Sequence, residues 1–141
     1  MPALSLRRLA WLLPILALCP AAVASAAEGM DVKVTVENRS DQPLRCMLVF
    51  AHWTTLDLPV IAPGGRSSIS LNRADDRALF IPRAQDGRPM MLEALHCGHD
   101  THWSESLTKV DWSMPMVSEA RSFRLACAGG ERLACEWNEA P

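Results

Sequence analysis

Residues 32–50 read VKVTVENRSDQPLRCMLVF, and the period of their side chains decides the fold. Over residues 32–37 apolar and polar residues alternate one by one. Successive side chains of an extended chain point to opposite sides, so strict alternation predicts a strand with one buried face. Residues 38–43 then gather asparagine, serine, aspartate and proline, the residues that bend a backbone, and residues 44–53 resume an apolar run. Two such runs around one polar turn predict a hairpin.

The same pattern continues downstream. Residues 58–61, LPVI, are short and hold Pro59, which suits a sheet edge because proline has no N–H for the ladder. A turn, Ala62-Pro63-Gly64-Gly65, leads to an alternating strand at 67–71, and 74–78 is of marginal length for one helical turn. Further strands are expected at 79–81, 90–97, 103–110, 122–127 and 132–137, the last two around the glycine turn 128–131. No stretch keeps apolar residues at helical spacing over three turns. Short strands separated by turns predict an all-β fold: an immunoglobulin-like antiparallel β-sandwich, with a small β-barrel as the alternative, stapled by two disulfides.

The succession of alternating strand, N-x-S-x-x-P (Asn38 to Pro43), strand, I-A-P-G-G (Ile61 to Gly65) and alternating strand resembles the start of immunoglobulin-like extracytoplasmic modules. The resemblance covers roughly forty residues and rests on turn chemistry, so it implies a fold class and no activity.

Upstream, Arg7 and Arg8 precede an apolar run over 9–23 that ends in Ala24-Ser25-Ala26. A basic start, an apolar middle and an A-x-A site predict a cleaved signal peptide over 1–26 and a single mature domain over 27–141. Pro14 and Pro20 interrupt the run, which is shorter than the roughly 20 residues a membrane-spanning helix needs. The expected destination is periplasmic or secreted, with no transmembrane segment after cleavage. Of 14 basic residues the mature chain keeps 12, against 16 acidic ones, a net charge of −4. Without a basic face to neutralise phosphates, nucleic acid is not an expected partner.

Cys19 leaves with the signal, and Cys46, Cys97, Cys127 and Cys135 remain. An even set in a short exported chain predicts two structural disulfides, with three pairings open. The cysteines lack C-x2-C spacing, so neither a zinc pattern nor a C-x-x-C redox pair is expected from them.

The densest chemistry lies in residues 95–103, LHCGHDTHW, where His96, His99 and His102 recur every third position. Imidazole and carboxylate are ligands of zinc and copper, and thioethers suit copper(I). His96, His99 and His102 with Met114 and Met116 therefore form a candidate metal set, to which Asp100, His52, Asp57, Met90 or Met91 could add. The preferred reading is plainer: turn chemistry at 98–101 makes this segment a hairpin tip with solvated histidines, and no cofactor is expected. Trp103 and Trp112 sit among polar residues, which suits partly exposed aromatic anchors of a recognition surface, with a core position as the competing reading for each. His52, Asp57 and a serine could be drawn as a triad, but no G-x-S-x-G elbow accompanies them, so no catalytic residues are assigned.

These features predict a small exported periplasmic interaction module, non-catalytic, meeting an envelope protein or ligand through the loops from His99 to Trp112. The alternatives are a periplasmic copper or zinc binding protein and a small envelope enzyme inhibitor.

Overall fold

The computed structural model describes residues 29–140, so the segment read as a signal peptide and its cleavage point lie outside the described residues. Nine strands follow one another: β1 (Met30–Asn38), β2 (Leu44–Phe50), β3 (Thr54–Asp57), β4 (Arg66–Arg73), β5 (Leu79–Pro82), β6 (Pro89–His99), β7 (Thr108–Val110), β8 (Ser122–Ala128) and β9 (Ala134–Glu139). Two short helices interrupt them, α1 (Trp103–Ser106) and α2 (Ser113–Val117). Hydrogen bonding runs in the order β3-β2-β6-β5-β4-β1-β8-β9, with β7 on the flank of β6. This path is open at β3 and β9, and no closed barrel forms among the described residues.

Alternation in sequence becomes alternation in burial. Val32, Val34 and Val36 of β1 and Leu44, Cys46, Leu48 and Phe50 of β2 are buried, and the residues between them are not. The eleven-residue β6 joins the two halves of the sheet: Met90 and Met91 pair with β5, whereas Leu92 to His99 pair with β2. Side chains from both halves, including Val34, Leu71, Phe123 and Leu125 on one side and Leu48, Phe50, Leu95 and Val110 on the other, meet in one core cluster. Each fully buried aliphatic or phenyl group contributes about 1.5–3 kcal/mol relative to exposure.

The turn 38–43 is held by Asn38, which is fully buried. Its amide nitrogen donates to the carbonyls of Gln42 and Ile61 at 2.8 Å each, and its Oδ1 accepts from Ser40 N–H at 2.9 Å and Ser40 Oγ–H at 2.7 Å. A buried amide with all these partners fixes the chain's exit from β1.

Several expectations are corrected. The edge strand is Thr54–Asp57, and 58–61 adds a bond from Leu58 N–H to Cys46 O and an isolated bridge between Ile61 and Leu44, since Pro59 interrupts the ladder. Residues 74–78 close a tight turn rather than a helical one, with Ala74 N–H bonded to Ala78 O and Arg77 at φ 70°. Of 103–110 only β7 is strand, because Trp103–Ser106 coils into α1. One ladder departs from the antiparallel expectation: β8 lies parallel to β1, from Lys33 opposite Ser122 to Asn38 opposite Cys127. Parallel neighbours need a long connection, and most of the chain lies between these two strands.

Both disulfides form, and the pairing left open by the sequence is settled. Cys46 bonds Cys97 between β2 and β6, and Cys127 bonds Cys135 between β8 and β9. Each joins residues directly opposite in an antiparallel ladder, with Cα atoms 4.2 and 4.1 Å apart. No described helix is long and apolar enough to cross a membrane.

Candidate functional site

The end of β6 organises the site. Cys97 and His99 alternate onto the buried face, and His96 lies on the opposite face, across from Met47 of β2 and Lys109 of β7. Gly98 does not break the strand as its turn chemistry suggests. A Cβ there would lie 3.0 Å from the Trp103 ring and 3.2 Å from Ser106 Oγ, so glycine lets α1 lie flat against the strand. Bending starts one residue beyond His99, where Asp100 N–H donates to Pro43 O at 2.9 Å.

The sulfur atoms bring a second element to this end. Sγ of Cys97, Cys127 and Cys135 lie within 4.8 Å of one another, so the β8–β9 hairpin packs its disulfide against that of β6. Two residues past Cys97, His99 reaches the hairpin's turn, with Nε2 2.6 Å from Gly130 O. A carbonyl only accepts, which assigns a proton to Nε2. Nδ1 is buried and has no partner in the described structure. Ser106, itself buried, locks the loop: its Oγ accepts from His99 N–H and donates to His102 O, both at 2.8 Å.

Three chain segments thus converge around a pocket of about 460 Å³. The β1–β2 turn supplies Gln42; the end of β6, the 3-10 turn after it and α1 supply His99, His102, Glu105 and Ser106; the β8–β9 turn supplies Gly130, Glu131 and Arg132. Amide, imidazole, two carboxylates and a guanidinium line one concavity, a set that offers hydrogen bonds of both polarities and charge of both signs.

The structure divides the residues singled out from sequence. His99 and His102 share the pocket, while His96 projects from the other face of β6. Met114 packs partly buried against the core, and Met116 is exposed on α2. Among the described residues, the one set of three histidine, cysteine or carboxylate ligand atoms within 4.8 Å of one another is the sulfur set. Asp57 is ion-paired with Arg45 at 3.3 Å on the exposed edge, and His52 stands in the 3-10 turn before β3 at φ 63°.

Trp103 is half-buried over Gly98, and the Arg45 guanidinium lies 5.2 Å from its ring centroid. Trp112 is corrected: it is 8% exposed, a core residue 4.9 Å from the Trp137 ring. Beside it, the Asp111 carboxylate accepts Ser113 N–H at 2.9 Å and Ser113 Oγ–H at 2.8 Å. Those bonds, the backbone N–H foremost, hold the Asp111 pKa below its ordinary value. The aromatic on the surface is instead Trp53, 89% exposed, at φ 60° directly after His52.

Sequence reading missed Gln42, Glu105, Ser106, Glu131 and Arg132 as pocket residues. The available signal was indirect: the 128–131 turn lies between Cys127 and Cys135, and His99 lies two residues beyond Cys97. Only the contact between the two disulfides converts those spacings into one site. A scan against protein-family models, a search of curated proteins and a search of solved structures each return no match for this chain.

Proposed function

We propose that the chain acts as an exported, non-catalytic binding module that holds a polar ligand or a polar segment of an envelope protein in the pocket at the end of β6. One observation carries this reading: three segments distant in sequence are pinned together, by His99 to Gly130 and by Asp100 N–H to Pro43 O, around a concavity lined with polar and charged groups. The export half rests on the basic-then-apolar segment over 1–26 and on two disulfides, bonds that persist in oxidising compartments. An immunoglobulin-like layering of the sheet belongs to the same proposal, supported by the single core shared between its two halves.

The test is a thermal-shift screen of the mature protein against polar small molecules and short charged peptides. A ligand of this pocket raises Tm by mass action. Glu105→Ala and Arg132→Ala, both on exposed side chains, should leave the ligand-free Tm close to wild type while removing that rise. A ligand whose stabilisation survives both substitutions binds elsewhere and overturns the assignment.

A metal reading through His96, His99 and His102 has a distinct readout. With His96 turned away from the other two, protein dialysed against copper or zinc and desalted is expected to hold neither at one ion per chain. A stoichiometric ion lost in His99→Ala would reverse that expectation.

A further inference from the structure

The two disulfides touch, and their contact is unequal. Sγ of Cys97 lies within 4.8 Å of both sulfurs of the hairpin disulfide, whereas Cys46 is outside that set. Cys46, Cys97 and Cys127 are fully buried, and Cys135 alone is half-buried. We propose that the four cysteines form a thiol–disulfide relay, in which an external thiol reaching Cys135 opens the buried Cys46–Cys97 bond through Cys127.

The steps follow from which sulfur is exposed and which are neighbours. A thiolate of an external monothiol attacks Cys135 Sγ, the accessible sulfur; a mixed disulfide forms there, the Cys127–Cys135 bond breaks, and its electron pair leaves on Cys127. The Cys127 thiolate then attacks Cys97 Sγ. A Cys97–Cys127 bond forms, the Cys46–Cys97 bond breaks, and the electron pair leaves on Cys46, which takes a proton from water. The second step exchanges one disulfide for another with no net oxidation or reduction. Cys97 is the electrophile because it is the inner sulfur within the cluster, and Cys46 is the leaving group because it is not. A disulfide with no solvent exposure thereby becomes sensitive to thiols outside the protein, and both staples respond as one unit.

The decisive variant is Cys135→Ser, which leaves the Cys127 thiol permanently beside the intact inner bond. Folded protein is quenched in acid, alkylated and digested without reduction. The relay predicts a peptide pair joined through Cys97 and Cys127, with alkylated Cys46, alongside the Cys46–Cys97 pair. Finding Cys46–Cys97 alone would sink the proposal, and so would a Cys46–Cys127 pair, which reports scrambling through unfolding. Should that variant not fold, wild-type protein treated with limiting reduced glutathione gives the same decision. Glutathione on Cys135 together with the Cys97–Cys127 pair supports the relay; glutathione on Cys135 with Cys46–Cys97 intact refutes it. A third measurement separates relay from slow opening of the fold. In Cys127→Ser/Cys135→Ser, reduction of Cys46–Cys97 by glutathione should fall to the rate of global unfolding, and a rate equal to wild type would overturn the mechanism.

Discussion

Cys46–Cys97 and Cys127–Cys135 are built alike, each across directly opposed residues of an antiparallel ladder, yet they restrain very different lengths of chain. The first spans a sequence separation of 51 and ties the centre of the sheet, β2 to β6; the second spans 8 and ties the hairpin at the sheet's edge. A cross-link removes loop-closure entropy from the unfolded chain in proportion to the logarithm of the loop. On that basis the long loop is worth about 4 kcal/mol and the short one about 2.5 kcal/mol. The same chemistry therefore serves two ends: the first bond holds the core, and the second holds one wall of the pocket.

The largest expected effect comes from removing the first. Cys46→Ala/Cys97→Ala should lose about 4 kcal/mol in denaturant unfolding, a large part of the stability of a domain this size. Cys127→Ala/Cys135→Ala should lose about 2.5 kcal/mol. Equal losses would show that strain or residual structure in the unfolded state, rather than loop length, sets their worth. Ligand binding should sharpen the contrast. The second variant frees Gly130 to Arg132, so it should weaken a pocket ligand more than its smaller stability loss suggests.

The glycine beside each staple gives the next contrast. Gly129 has φ 128°, and a Cβ there would lie 2.2 Å from Arg132 O, a backbone atom that cannot step aside. Gly98 would place its Cβ 3.0 Å from the Trp103 ring, which can give by a few tenths of an ångström. Gly129→Ala should cost about 2 kcal/mol by backbone strain and collision, and Gly98→Ala about 1 kcal/mol by overpacking. Urea midpoints of the two variants rank them. A costlier Gly98→Ala would mean that α1 is held more rigidly against β6 than the hairpin turn is held to itself.

How much of this was legible in sequence depends on the range of the forces involved. β1, β2 and β4 announce themselves because their alternation is local, and the Asn38 turn does so because its bonds to Ser40 and Gln42 are local, though the bond to Ile61 is not. The two disulfides follow from the four cysteines that lie beyond residue 26, with Cys19 set apart in the segment read as a signal. Their pairing does not, because it depends on which strands become neighbours after β6 has crossed between the two halves. The parallel β1–β8 ladder is hidden for the same reason. The polar neighbours of Trp112 leave surface and core both open, and its burial is decided by packing on Trp137, a residue 25 positions away. The pocket was half legible: His99 and His102 stood out by composition, but Glu131 and Arg132 belong to it only through the sulfur contact.

The smallest predicted effect tests the hairpin half from its outer face. Glu37 of β1 sits opposite Arg66 of β4 and Ala126 of β8, one residue before Cys127. Its carboxylate is 3.3 Å from Arg39, 3.3 Å from Arg66 and 3.8 Å from Arg124, so one acid gathers positive charge from the β1–β2 turn, β4 and β8. The hydrogen bond from Arg39 foremost, then that from Arg66, holds its pKa below the ordinary value, against partial burial, which pushes it up. A group with a depressed folded pKa stabilises fully above its unfolded pKa and loses that contribution as pH falls through the folded one. The loss belongs to the acid limb, below the usual glutamate range, and neutral or alkaline pH leaves it untouched. Glu37→Gln removes the charge at every pH. Its stability should lie slightly below wild type near neutrality and converge with it as acid protonates the wild-type carboxylate, read as denaturant midpoints over a pH series. Because exposed arginines supply the partners, the gap should also shrink in high salt. Curves that stay parallel down the acid limb would show that Glu37 acts there by packing alone, and that nothing electrostatic distinguishes the strand carrying Cys127 from the one carrying Cys97.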